Sequence, residues 1–205
     1  MNLQIPKILR PFLGQGLVWR KKLRSSKVVY LTFDDGPVPE VTPLVLDILD
    51  EYGVKATFFC VGENVEKYPD IYNEILARGH KTGNHTFNHR KGFRTKADAY
   101  VENVQKANEY IKSNLFRPPH GQLKRKQRKQ LQKDYQIIMW DIITHDYNHL
   151  LSPEAIFNNV RKYVRNGSII VFHDSIKAKN NMLTVLPQTI EYLNSQRFEF
   201  KIIGV

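Results

Sequence analysis

Hydrophobic and polar positions alternate along this chain in two rhythms. Short apolar runs that read as strands are VVYLTF (28–33), ATFFCV (56–61), QIIMW (136–140) and SIIVF (168–172). Between them lie stretches with apolar residues at helical spacing. Thr42-Pro43 starts one helix, with Leu44, Ile48 and Leu49 as its stripe and Gly53 as its stop. Another runs from near Pro69 to Arg78, closed by Gly79. HKTGNH reads as a short strand entering a loop, and Thr95 with Asp98 resembles a capping box opening a helix to about Ser113. Further helices are predicted over 124–133, from Ser152-Pro153 to near Gly167, and over 184–195. About seven strand–helix alternations without a break predict an α/β fold with a parallel sheet.

Polar clusters follow the strand-like runs: Asp34-Asp35, His85/His89, Arg117, Asp146 and His173-Asp174. In parallel α/β folds, sites assemble at the carboxyl ends of strands, so these separate loops are expected to converge on one pocket.

The chain has 205 residues, 41% hydrophobic and 25% charged, which suits one globular domain. No apolar run exceeds four residues, so no transmembrane helix is expected. One cysteine, Cys60, excludes an intramolecular disulfide and a multi-cysteine metal site. The net charge of +11 comes from two places. Residues 1–27 carry seven bases and no acid, and residues 124–133 carry six bases and no acid. We expect a basic arm over 1–27 and a domain over 28–205. Ile5, Ile8, Leu9, Phe12 and Leu13 fall at helical spacing but Pro11, Gly14 and Gly16 interrupt them, which favours an arm packed across the domain over a membrane anchor. The start lacks the apolar core and small-residue cleavage site of a secretory signal, so a cytoplasmic or peripheral inner-membrane location is expected.

HTFNH places two histidines four apart, which on a helical turn would face the same side. With Asp35 they make two nitrogens and one oxygen, a set suited to Zn²⁺ with a position left for water. The same set suits a non-haem iron triad. Adjacent carboxylates repel unless a cation or proton intervenes, and metal binding by Asp35 leaves Asp34 as a nearby general base. Arg117 can orient a carboxylate or serve simple structural pairing. His173, at a strand end, can protonate a leaving group, and a nearby carboxylate such as Asp146 would raise its pKa.

TFDDGP (32–37), HTFNH (85–89), RPPHG (117–121), the Asp146-Tyr147 loop and VFHD (171–174) resemble, in order, the five motifs of the polysaccharide deacetylases. This is the NodB-homology family, carbohydrate esterase family 4, and the resemblance spans residues 28–203. It implies a distorted (β/α) barrel and metal-dependent removal of N-acetyl groups from a glycan containing N-acetylglucosamine. By the same resemblance Asp35, His85 and His89 hold the metal, Zn²⁺ or another divalent ion such as Co²⁺ or Ni²⁺. Asp34 becomes the base, held by Arg117, and His173 the acid, tuned by Asp146. The backbone N–H of His120 is implied to hold the oxyanion.

Four positions depart from the family pattern: His120 for an aromatic residue, Ile143 for an aspartate, Tyr147 for tryptophan and Phe172 for leucine. Phe172 is expected to narrow the acetyl pocket, and His120 and Tyr147 to alter the groove wall. A facial-triad oxygenase would use Asp35, His85 and His89 but gives Asp34 and His173 no task. A non-enzymatic binder would use the basic segments, which equally suit an anionic polymer or a membrane surface. The basic helix lacks interleaved aromatics, so no nucleic-acid partner is expected.

Overall fold

The computed structural model describes residues 15–204. The apolar positions Ile5 to Leu13 therefore lie outside the described residues. The strands are β1 (Leu17–Val18), β2 (Val28–Asp34), β3 (Thr57–Cys60), β4 (Lys81–Asn84), β5 (Leu115–Phe116), β6 (Gln136–Ile138), β7 (Ile142–Ile143), β8 (Ser168–His173) and β9 (Glu199–Phe200). The helices are α1 (Thr42–Glu51), α2 (Gly62–Lys67), α3 (Pro69–Ala77), α4 (Ala97–Ile111), α5 (Arg125–Leu131), α6 (Pro153–Tyr163) and α7 (Lys179–Ser195). No helix among the described residues is long and apolar enough to cross a membrane.

All neighbouring strands pair in parallel, in the order β1-β6-β5-β4-β3-β2-β8-β7. β9 pairs with the start of β2, beside the stretch that β3 leaves open because its own pairing begins at Thr32. β6 stands near one end of this order and β7 at the other, yet only Met139, Trp140 and Asp141 separate them in sequence. The four residue steps from Ile138 to Ile142 reach at most about 14 Å. The sheet must therefore curl until its ends meet, and an antiparallel bridge from Arg20 to Ser168 joins them. The expected α/β barrel architecture is the one observed. The chain ahead of residue 28 is part of it from β1 onward, with Trp19 buried against the core.

Period-two alternation places each strand residue. In β2, Val29, Leu31 and Phe33 join the core beneath the helices, with Val45, Leu46 and Leu49 of α1 and Leu186 and Ile190 of α7. Val28 and Tyr30, like Phe59, Ile169 and Val171, face the space enclosed by the curl. Thr32 and Asp34 continue that inward parity, and so does His173 after Ile169 and Val171.

Several local expectations are corrected. The buried stripe of α1 is Val45, Leu46 and Leu49, while Leu44 is exposed. The capping box at Thr95 does not form: Lys96 is the cap, and the Thr95 hydroxyl donates to the Lys91 carbonyl. α6 stops at Tyr163 rather than near Gly167, α7 begins at Lys179 rather than 184, and Ile142–Ile143 adds a short strand. α2 was not foreseen because GENVEK is too short and polar to show a period.

Candidate active site

The loops leaving the carboxyl ends of the strands surround a cavity of about 400 Å³ lined by Asp34, Asp35, His85, His89, His120, Trp140, Ile143, Tyr147, His173, Ser175 and Lys177. Asp34 ends β2 and pairs in register with His173, the last residue of β8. The two proton-transfer candidates thus stand on adjacent strands by direct ladder pairing.

Arg117 follows β5 and is wholly buried. Its Nη1 donates to Asp34 Oδ1 at 2.5 Å and to Thr32 Oγ1 at 2.9 Å, while Nε and Nη2 reach the carbonyls of Ile138 and Met139. The guanidinium carbon lies 4.0 Å from the centre of the Phe59 ring. Burial works against the charge on Arg117, and the Asp34 carboxylate opposes that effect. A buried cation with its donors satisfied orients Asp34 rigidly.

Asp35 turns away from the strand at φ 88°. Its Oδ1 stands 3.2 Å from His89 Nε2 and 3.7 Å from His85 Nε2. His85 Nδ1–H donates to the Arg117 carbonyl at 2.8 Å, which leaves Nε2 unprotonated and facing Asp35. The segment 85–89 is not the expected helical turn. Thr86 and His89 both take positive φ, 68° and 52°, and this irregular loop brings the two rings within 5.2 Å. One donor atom from each of Asp35, His85 and His89 lies within 4.8 Å of the others. The carboxylate-to-imidazole separations are close to the ~3.3 Å edge of a tetrahedron with metal bonds of about 2.0–2.1 Å. The donor set therefore fits a small divalent cation. Burial moves Asp35 upward, but the His89 hydrogen bond and the charges of His173, His85 and His89 outweigh it and hold the carboxyl well below its usual range. Burial lowers His85 to about 4, favouring the neutral ring a cation needs.

His173 Nδ1–H donates to Asp146 Oδ1 at 2.7 Å, and its backbone N–H donates to Asp146 Oδ2 at 2.8 Å. Both groups are buried. Burial depresses the His173 pKa, but the Asp146 carboxylate, followed by Asp35 and Asp34, raises it to about 9. The Tyr147 ring meets His173 edge-on with centres 4.8 Å apart, and its hydroxyl is 2.8 Å from His145 Nδ1.

His120 lies in a 3₁₀ turn at φ 57°, its ring 4.8 Å from that of His89. Burial and then the neighbouring His89 push its pKa down. Phe172 does not line the cavity. It is fully buried and stacks 5.9 Å from Phe33 in the core under the helices, because a residue next to inward-facing His173 must face outward.

Sequence reasoning missed Trp140, Ser175 and Lys177 as lining residues, and missed the task of Asp174. Asp174 Oδ1 accepts from the Gly36 N–H at 3.0 Å and Oδ2 from the Thr42 hydroxyl at 2.7 Å. Its backbone N–H donates to the Asp34 carbonyl at 3.1 Å. The signal was its place beside His173, since consecutive residues at a strand end contact different loops.

A family model described as polysaccharide deacetylase matches residues 21–138. A peptidoglycan-N-acetylglucosamine deacetylase of Bacillus cereus is 38% identical over 154 residues, covering 72% of this chain and 56% of that relative. A second protein of that name from the same organism is 30% identical over 188 residues, covering 88% of each. A chitooligosaccharide deacetylase of Azorhizobium caulinodans is 35% identical over 163 residues, 74% of this chain and 75% of its own. Longer relatives exist: the chain spans 39% of the PgdA protein of Listeria monocytogenes. Among solved structures, the Bc1960 peptidoglycan N-acetylglucosamine deacetylase superposes with a TM-score of 0.88 at 30% identity, covering 97% of this chain and 95% of that one. The chain belongs to the polysaccharide deacetylase family.

Proposed function

We propose that this protein is a metal-dependent hydrolase that removes the N-acetyl group from N-acetylglucosamine units of a peptidoglycan- or chitooligosaccharide-like glycan, releasing acetate. The observation that carries this reading is one cavity flanked by Asp34 with its Arg117 partner and by His173 with its Asp146 partner, beside the Asp35, His85 and His89 donors. The names of the relatives support the substrate class, since they share an N-acetylated amino sugar.

Asp35, His85 and His89 would hold the cation, Zn²⁺ first and Co²⁺ or Ni²⁺ as alternatives. Bound there, it would supply Lewis-acid polarisation of the amide carbonyl and a lowered pKa for water. Asp34 is the base that takes the proton from the attacking water, oriented by Arg117. Protonated His173 faces the same cavity and gives its Nε2 proton to the departing amine. An amine leaves poorly unless protonated, and Asp146 stabilises the imidazolium until that moment. The His120 backbone N–H is assigned to the developing oxyanion. Tyr147, Trp140 and Ile143 form the wall against which the sugar rests. An iron oxygenase would leave Asp34 and His173 without work, so the hydrolytic reading accounts for more of the site.

The test is acetate release from N-acetylated peptidoglycan fragments and chitooligosaccharides by metal-loaded protein. Release that disappears on chelation and in Asp34→Asn is expected. No release from any of these glycans by protein shown to carry a metal would refute the reading.

A further inference from the structure

Five large apolar side chains are notably exposed among the described residues, and three border the catalytic mouth. Phe93, 59% exposed, lines a neighbouring hollow that shares His120 and Trp140 with the catalytic cavity. Leu150, 93% exposed, lines a recess that shares Tyr147 and Lys177 with it. Ile176, 59% exposed, lies between Ser175 and Lys177, which both line the cavity. The other two, Leu44 and Leu76, are on α1 and α3.

The same loops are basic. Residues 86–97 carry Arg90, Lys91, Arg94 and Lys96 with no acid, and 175–190 carry Lys177 and Lys179 with no acid. Arg90, Lys91, Arg94, Lys96 and Lys177 are all exposed. Residues 118–125 add Lys124 and Arg125 without an acid, and 147–153 carry no acid. These segments follow β4, β5, β7 and β8. Because the curl brings the β7 end of the sheet to the β1–β6 end, they form one continuous arc of the rim. The acids Glu40 and Glu63 follow β2 and β3, on the remaining arc.

We propose that this arc is a docking surface for an anionic lipid bilayer, with Phe93, Leu150 and Ile176 entering the headgroup–acyl boundary and the surrounding cations meeting lipid phosphates. Lysine and arginine alone would suit any polyanion. The charges of a soluble polyanion would leave three large apolar side chains standing in water beside them, whereas a bilayer supplies their transfer free energy as well. The catalytic mouth then opens toward the membrane, so the substrate is a glycan held close to a lipid surface. That last step rests on the deacetylase reading, whereas the binding itself does not.

The test is cosedimentation of the full chain with vesicles of phosphatidylglycerol and phosphatidylcholine, against phosphatidylcholine alone, at low and high salt. Binding to the anionic vesicles is expected to weaken with salt without vanishing. The triple substitution Phe93→Ser, Leu150→Ser, Ile176→Ser should weaken it at least ten-fold with an unchanged circular dichroism spectrum, while Leu44→Ser with Leu76→Ser should not. Leu150→Trp should show blue-shifted emission on the vesicles and quenching by brominated acyl chains. No vesicle binding, or Leu150→Trp emission that does not move on bound protein, overturns the proposal. So does binding that the triple substitution leaves intact and salt abolishes, which would make the arc a polyanion contact. None of these readouts depends on acetate release, so the deacetylase reading stands or falls separately.

Discussion

Asp174 and Gly36 are locked together at the base of the catalytic turn. The Gly36 N–H donates to Asp174 Oδ1, and a β-carbon built on Gly36 would lie 1.9 Å from Asp174 Oδ2. Asp174 also receives the Thr42 hydroxyl, and that hydroxyl accepts the Val38 N–H. The buried carboxyl therefore holds the chain that follows Asp34 and Asp35, while the Asp174 backbone N–H holds the Asp34 carbonyl. Gly36→Ala should displace that turn. A shift of about 1 Å is enough to cost roughly 100-fold in rate. We expect kcat for acetate release to fall by that order, and metal affinity to weaken about 10–100-fold as for a lost supporting contact. Kinetics and metal titration on the same preparation would check both, and unchanged values would show that the turn does not depend on this contact.

Arg117 gives a stability prediction as well as a catalytic one. Its charge is fully enclosed and balanced by Asp34, so removing either partner strands the other. Arg117→Ala should lower unfolding free energy by about 3–5 kcal/mol, the range for breaking a buried pair from one side. Urea denaturation measures this directly. A loss under about 1 kcal/mol would mean that water readily replaces the guanidinium.

Much of the site was legible in the sequence because its residues follow the strands. Asp34, Asp35 and His173 are placed by strand ends, and period-two parity alone points Asp34 and His173 inward. The same parity, applied to Phe172, would have removed it from the pocket wall. The 85–89 loop was misread as a helical turn because spacing of four is equally produced by irregular backbone at positive φ. Its place beside His173 marked Asp174, but the groups it would hold could not be read from sequence. Its partners, Gly36 and Thr42, are more than 130 residues away and meet it only once the sheet has formed. α2 and the short strands β1 and β7 were missed because so few residues carry no period.

The His173–Asp146 pair sets an alkaline limit. Against its own burial, His173 is raised to about 9 chiefly by the Asp146 carboxylate. Its protonated form is the proposed acid, so activity should decline as pH rises through that value. Asp146→Asn removes the negative charge and lowers the pKa. The alkaline limb of the kcat/KM profile should then move toward neutral pH, with the acid limb much less affected. An alkaline limb that stays in place in Asp146→Asn would show that another group sets it.

His80 lies outside the site and predicts acid instability. Its side chain is buried, Nδ1 accepts the Ala56 N–H at 3.1 Å, and Nε2 has no hydrogen-bond partner among the described residues. Burial, followed by the charge of Lys55, lowers its pKa from 6.5 to about 4. Between those values the unfolded chain binds the proton and the folded chain does not. The contribution to stability is therefore full above about pH 6.5 and is lost as pH falls toward 4, by roughly 3 kcal/mol. Replacing His80 with a residue that does not titrate, as in His80→Gln, should flatten this part of the stability–pH curve even if it lowers stability at pH 7. Urea unfolding at pH 7 and pH 4.5 on both proteins gives the comparison. Equal slopes would show that His80 is protonated in the folded state as readily as in the unfolded one.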